Sequence, residues 1–306
     1  MEKPKVVVVG SSNTDMVTKL ERLPIPGETL IAKSFIIAAG GKGANQAVAT
    51  ARLGGEVTFV ARVGTDIFGE QAVQNFQKEG IITDFIVKDN ENPSGVALIF
   101  VDQEGENCIA VASGANSKLS PEDVTAAKEK IKDAKVLLLQ LETPLETVRY
   151  AARLASEAGA KVILNPAPAR ELDGALLNLI TILTPNEPET ELLTGVKVED
   201  EKSAREAAEI LRKKGVANLI ITMGTKGSFL VTEEQAILIP TKKVKAVDTT
   251  AAGDAFNGAL AYAIAEQKPL EEAIRFANLT GAFSATKLGA QPSMPTLDEL
   301  HQFMEV

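Results

Sequence analysis

Six apolar runs recur along the chain, and helical patterns fill the intervals between most of them. The runs are KVVVVG (5–10), VTFVARVG (57–64), KVLLLQLE (135–142), KVILNPAP (161–168), LITILTPNE (179–187) and NLIITMG (218–224). A continuous run such as KVVVVG reads as a strand buried on both faces. The intervening helical patterns cover 43–55, 69–80, 120–134, 145–159 and 203–215, with two more at 253–267 and 270–288. Strand alternating with helix predicts βαβ units: an α/β, doubly wound, mainly parallel sheet flanked by helices. Two regions break the rhythm. Residues 28–38 read as short strands after LPIPGE, and 95–112 read as a hairpin around DQEGEN. Both flank candidate site residues, so they are assigned to a small antiparallel β-sheet lid formed by about 16–38 and 93–113. The alternative is a pair of edge hairpins on the main sheet. Without a long linker or internal repeat, 1–306 is expected to be one domain.

Composition narrows the chemistry. The 306 residues carry a formal net charge of -9 without a Lys/Arg cluster, which argues against nucleic acid as a partner. No segment has the length and apolarity of a membrane span or signal peptide, so a cytoplasmic protein with no membrane partner is expected. The one cysteine, Cys108, excludes an intrachain disulfide and reads as a small residue in or near a strand. The one histidine, His301, is expected on a solvated terminal helix. A Ser-His-Asp hydrolase is therefore disfavoured, and a catalytic base would be a carboxylate or lysine.

Several motifs lie at strand ends or helix starts. AAGGKGANQA (38–47) fails the P-loop pattern, because Gly43 and Ala44 follow Lys42. Lys42 and Asn45 still offer donors at a helix start, although a tight turn would look the same. The first strand lacks GxGxxG. Asn13 and Asp15 follow its C-terminal end, where open α/β sheets bind ligands, or where an Asx turn forms. Glu142 ends an apolar strand, as a polyol ligand or a helix charge. Asn186 and Glu189 have N-x-x-E spacing, which suits magnesium-bound water or a capping box. TMGTKG (222–227) suits a nucleotide pocket or a hairpin. VDTTAAGDAFNG (247–258) brings small residues and Asp254 to a helix start. The amides there suit an anion, and Asp254 is either a cap or a base beside it.

GGKGANQA (40–47), the Asn186/Glu189 pair and DTTAAGDAFNGAL (248–260) resemble the signatures of the ribokinase-type carbohydrate kinases. SSNTD (11–15), NPAPAREL (165–172), PNE (185–187) and KLGAQPSMP (287–295) resemble its bacterial ribokinase branch, and the likeness spans the chain in order. The resemblance implies phosphorylation of D-ribose at its 5-hydroxyl by ATP, with Asp254 as general base. It implies an anion hole at Ala251, Ala252 and Gly253. Sugar contacts would come from Asn13, Thr14, Asp15, Gly41, Lys42, Gly43, Ala44, Asn45 and Glu142. ATP would meet Asn186, Glu189, Thr222, Met223, Gly224, Thr225, Lys226, Gly227 and Asn278, with Mg2+ placed by Asn186 and Glu189. K+ would sit against Asp248, Thr250, Ser284, Lys287, Gly289 and Ser293, largely through carbonyls. A homodimer through paired lids is also implied. Ala251 stands where many relatives carry Gly, and Asn278 where some carry His. The alternatives are a kinase of the same type acting on another sugar, such as fructose, and a non-catalytic sugar-binding protein.

Overall fold

Residues 6–9 form the core of strand β1 (Lys5–Val9), and their side chains alternate between two hydrophobic clusters. Val6 and Val8 enter one cluster, Val7 and Val9 the other, and none is more than 2% exposed. Each such side chain contributes about 1.5–3 kcal/mol by leaving water, so β1 is anchored from both faces. The computed structural model describes residues 3–305.

The other strands are β2 (Asn13–Lys19), β3 (Ser34–Gly40), β4 (Glu56–Gly64), β5 (Ile86–Asp89), β6 (Gly95–Val101), β7 (Asn107–Ala112), β8 (Val136–Leu139), β9 (Lys161–Leu164), β10 (Ile182–Leu183), β11 (Asn218–Thr222), β12 (Ser228–Val231) and β13 (Ala236–Ile239). The helices are α1 (Lys42–Arg52), α2 (Ile67–Lys78), α3 (Pro121–Ala126), α4 (Lys128–Asp133), α5 (Leu145–Glu157), α6 (Gly174–Leu177), α7 (Glu187–Thr194), α8 (Glu201–Lys213), α9 (Ala252–Ala265), α10 (Leu270–Ser284) and α11 (Leu297–Glu305).

The main sheet has the order β13-β12-β11-β10-β9-β8-β1-β4-β5. Its pairings are parallel from β5 through β11, and β12 and β13 close the far edge antiparallel. Side chains of α1, α2, α9 and α10 fill the cluster on one face; those of α3, α4, α5 and α8 fill the other. The doubly wound expectation is met. The chain runs outward from β1 to β4 and β5, then returns to β8 on the other side of β1. This reversal opens a crevice at the C-terminal ends of β1 and β8, the usual ligand position in such sheets.

The second sheet has the order β3-β2-β6-β7. Its outer pairings are antiparallel, while the central β2–β6 pair is parallel. It grows straight out of the crevice: β2 begins four residues after β1 ends, and β3 leads into α1. Asn13 and Asp15 therefore lie within β2 and not in an Asx turn after β1. Residues 28–33 form no strand, and the 120–134 helix is broken at Ala127 into α3 and α4. Cys108 lies exposed in β7, and His301 is exposed on α11. Among the described residues, no helix is long and apolar enough to cross a membrane.

Candidate active site

Asp254 sits in the first turn of α9 but does not cap it. The N-cap is Ala251, held in the left-handed region at φ 60, and no side chain caps the helix. The Asp254 carboxylate turns instead to α1. Asn45 Nδ2 donates to its Oδ2 at 2.9 Å, and Gln46 Nε2 donates to its Oδ1 at 2.9 Å. Asp254 is only 6% exposed, so these bonds form in a low-dielectric environment.

The same helix start offers donors to an anion. The Ala252 N–H is bonded to the Thr249 carbonyl at 3.2 Å. The Gly253 N–H has no partner among the described residues, and the space around its α-carbon is open. Gly253 and Ala252 border a cavity of about 640 Å³, a volume suited to a small organic ligand. Asn186, Thr222, Gly224, Thr225, Gly227 and Asn278 also line it, so distant stretches converge there. Asn186 and Glu189 form a complete capping box on α7, with mutual backbone bonds at 2.9 and 2.8 Å.

On the other side of Asp254 lies the crevice. Lys42 is surrounded by Asp254, Glu142, Glu189 and Asp15. Burial pulls its pKa down, but these carboxylates outweigh burial and raise it. Burial raises the pKa of Glu189. The Asp15 carboxyl is pushed up to about 6, first by burial, then by Glu142 and Asp254, against the opposing pull of Lys42. Glu142 accepts from the Ser11 hydroxyl, and its Oε2 accepts from the Lys42 N–H at 3.0 Å, so it closes the start of α1. Asn13 Oδ1 accepts from Asn116 Nδ2 at 2.8 Å. Gly41 links β3 to α1 at φ 89, and a Cβ there would lie 2.6 Å from the Asn13 nitrogen. That approach packs the GGKG turn against the start of β2.

Some expected site residues do not join this cluster. Thr14 alternates to the opposite face of β2 from Asp15 and lines a separate cavity of about 130 Å³. Gly43 and Ala44 are buried where α1 crosses the end of β1. Met223 is buried in the core, and Lys226 Nζ is engaged by the Glu199 carbonyl at 2.7 Å. The Asn278 amide borders the cavity but is turned inward: it accepts from Ser228 Oγ at 2.6 Å and donates to the Ile239 carbonyl at 3.0 Å.

The loops expected to hold a monovalent cation do meet. Asp248 accepts from the Thr250 and Gly289 amides, both at 2.9 Å, and the Ser284 and Ser293 hydroxyls are 2.6 Å apart. Lys287 directs its ammonium away, to Glu299 at 2.8 Å and over the Phe283 ring. Among the described residues its backbone carbonyl accepts no hydrogen bond, and such a role would fall to it. Sequence reasoning missed the buried amides Gln46, Gln140, Asn165 and Asn257, and the Thr184 hydroxyl, which form a network behind Asp254. The lone glutamine in the apolar run VLLLQLE was the available signal.

A model of the pfkB family carbohydrate kinases matches residues 3–297. A ribokinase of Haemophilus influenzae is 47% identical over 300 residues, covering 98% of each chain. A deoxyribokinase of Salmonella typhimurium is 42% identical over 302 residues, covering 98% of this chain and 99% of the relative. Among solved structures, ribokinase of Arabidopsis thaliana complexed with ribose and ATP superposes with a TM-score of 0.92 at 35% identity, covering all of both chains.

Proposed function

The chain belongs to the pfkB family of carbohydrate kinases, and from that premise we propose that it transfers the γ-phosphoryl group of ATP to the primary 5-hydroxyl of D-ribose. The observation that carries the reading is the position of Asp254: a buried carboxylate held by two amide donors, between a polyol-suited crevice and the 640 Å³ cavity.

The sugar lies against Asp15, Asn13, Asn45 and the 41–42 turn, with its primary hydroxyl toward Asp254. Asn45 contributes its Nδ2, which donates to Asp254 Oδ2, while its Oδ1 is buried without a hydrogen-bond partner among the described residues. The nucleotide occupies the cavity with its terminal phosphate at the Gly253 amide. The hydroxyl oxygen forms a bond to phosphorus, the bond from phosphorus to the β-phosphate bridging oxygen breaks, and the hydroxyl proton passes to Asp254. ADP then departs. The Gly253 amide stabilises charge on the transferring group without reorganising.

Four carboxylates around one ammonium would repel ATP, a charge imbalance that supports a divalent metal beside Glu189. Magnesium supplies charge neutralisation of the phosphates there. The 248–250 and 284–293 loops supply one carboxylate, hydroxyls and backbone carbonyls, a hard-oxygen donor set compatible with potassium. The need for ATP and the single cysteine support a cytoplasmic setting.

The chain is read as one kinase unit, with the small sheet as a lid over the crevice that excludes water during transfer. Both lid faces carry exposed apolar side chains: Leu98, Ile37 and Phe35 on one, Ile109, Val111 and Ile36 on the other. A four-stranded sheet so uncovered supports pairing with the lid of a second copy. A Leu98→Glu, Ile109→Glu double variant, one change per face, is expected to convert a homodimer to a monomer by light scattering. Persistence of the dimer would contradict lid pairing.

A coupled ADP-release assay across D-ribose, 2-deoxy-D-ribose and D-fructose, with and without potassium, tests the substrate. D-ribose is expected to give the highest kcat/KM. The deoxyribokinase relative at 42% identity makes 2-deoxy-D-ribose the specific second reading. Release no faster than the sugar-free rate with every sugar would contradict the proposal.

A further inference from the structure

We infer that Gln46, locked by Gln140, is the positioning residue that fixes the carboxylate of Asp254 for proton transfer. This rests on the reading of Asp254 as the base. Gln46 lies in the second turn of α1 and is fully buried. Its Nε2 donates to Asp254 Oδ1 at 2.9 Å and to Asn165 Oδ1 at 3.2 Å, while its Oε1 accepts from Gln140 Nε2 at 2.6 Å. The amide can hold only this orientation. A flip would set its oxygen against two acceptors, Asp254 Oδ1 and Asn165 Oδ1, and the orientation so fixed turns its Oε1 to the Gln140 Nε2 donor.

Gln140 is 1% exposed at the end of β8, and its position is prepared by the backbone. A Cβ at residue 10 would lie 2.1 Å from Gln140 Oε1, so Gly10 leaves room for the amide. Asn165 is fixed in turn through its Nδ2, which donates to the Thr184 carbonyl at 3.1 Å. The relay thus starts from the ends of β8 and β9 and reaches Asp254 on α9 through α1.

The division of labour between neighbours follows. Asn45 and Gln46 each hold one oxygen of Asp254, which defines the plane of the carboxylate. Asn45 Oδ1 has no hydrogen-bond partner among the described residues, whereas every polar atom of the Gln46 amide is committed to protein groups. Gln46 therefore acts on substrate only through Asp254. A neutral donor suits this role: it orients the carboxylate without the strong ion pair a cation would form. Misdirecting a reacting group by about 1 Å costs roughly 100-fold in rate.

The test compares Gln46→Leu, Gln140→Leu and the double variant, measuring kcat and the sugar KM separately. Gln46→Leu is expected to lower kcat by roughly 30- to 100-fold with KM changed less than about threefold. Gln140→Leu should lower kcat by roughly 5- to 10-fold, and the double variant should be no worse than Gln46→Leu, because Gln140 acts only through Gln46. In an Asp254→Asn background, Gln46→Leu should cost nothing further. A Gln46→Leu kcat within twofold of wild type, or fully multiplicative losses, would overturn the inference. Should Gln46→Leu fail to fold, as judged by thermal unfolding, Gln140→Met carries the test alone, and an unchanged kcat there overturns it. Near-wild-type turnover by Asp254→Asn itself would instead defeat the reading of the base, so the two failures are distinguishable.

Discussion

Replacing Asp254 with asparagine is expected to lower kcat by roughly 10³- to 10⁴-fold, the upper range for loss of a positioned base. Asparagine matches the shape of aspartate but cannot accept the hydroxyl proton. One of the two amide donors from Asn45 and Gln46 would face an NH2 group instead of an oxygen. That mismatch costs about 1–3 kcal/mol, partly offset by relief of the repulsion Asp254 exerts on the Asp15 and Glu189 carboxylates. The variant should therefore fold and bind sugar within a few-fold of wild type, as measured by calorimetry without nucleotide. Rapid-quench measurement of the chemical step should show the full loss. A variant that keeps more than a tenth of wild-type kcat would remove Asp254 from the role of base.

The second large effect concerns Asp15, where stability and binding oppose each other. Its carboxyl is pushed up from 3.8 to about 6 in the folded chain, chiefly by burial. A raised carboxyl pKa means that folding favours the protonated form. The resulting stability is fully present below pH 3.8 and is lost as pH rises through about 6. Above that, the ionised Asp15 costs the fold at most about 3 kcal/mol, from the difference between 3.8 and about 6 at 1.36 kcal/mol per pH unit. Asp15→Asn is therefore expected to raise stability by about 2–3 kcal/mol at pH 7.5, with the gain fading toward pH 4 in denaturant titrations. The same change should raise the sugar KM by roughly 10- to 100-fold, since a hydrogen bond to a charged group contributes about 1.5–3 kcal/mol. In the wild-type chain, the sugar KM should rise as pH falls through about 6. In Asp15→Asn that limb should be absent. A destabilised Asp15→Asn, or an unchanged pH dependence of KM, would contradict this assignment.

These two carboxylates also mark how far the sequence could be read. β1 was legible because four successive valines can satisfy only a strand with a core on each side. β2 was not, because NTDMVTK is polar and half-buried, and its pairing depends on β3 and β6 far along the chain. The break at Ala127 was hidden because the helical spacing continues across it. Asp254 could be singled out from its company of small residues. Its freedom from capping could not, since that depends on amides 208 and 209 residues away. Lys287 turns aside because Glu299 and Phe283 attract its ammonium. Thr14 faces away from Asp15 through the two-residue period of a strand that the sequence did not disclose.

The most direct test is the chemical identity of the product made from ATP, magnesium and D-ribose, followed by phosphorus NMR. One phosphomonoester is expected for each ADP, its signal split into a triplet by the two protons on carbon 5. Asp254→Asn should leave this resonance undetected over the time in which the wild-type reaction completes. Phosphate on any other carbon, ADP formed with free inorganic phosphate alone, or an undiminished triplet from Asp254→Asn would contradict the proposed transfer.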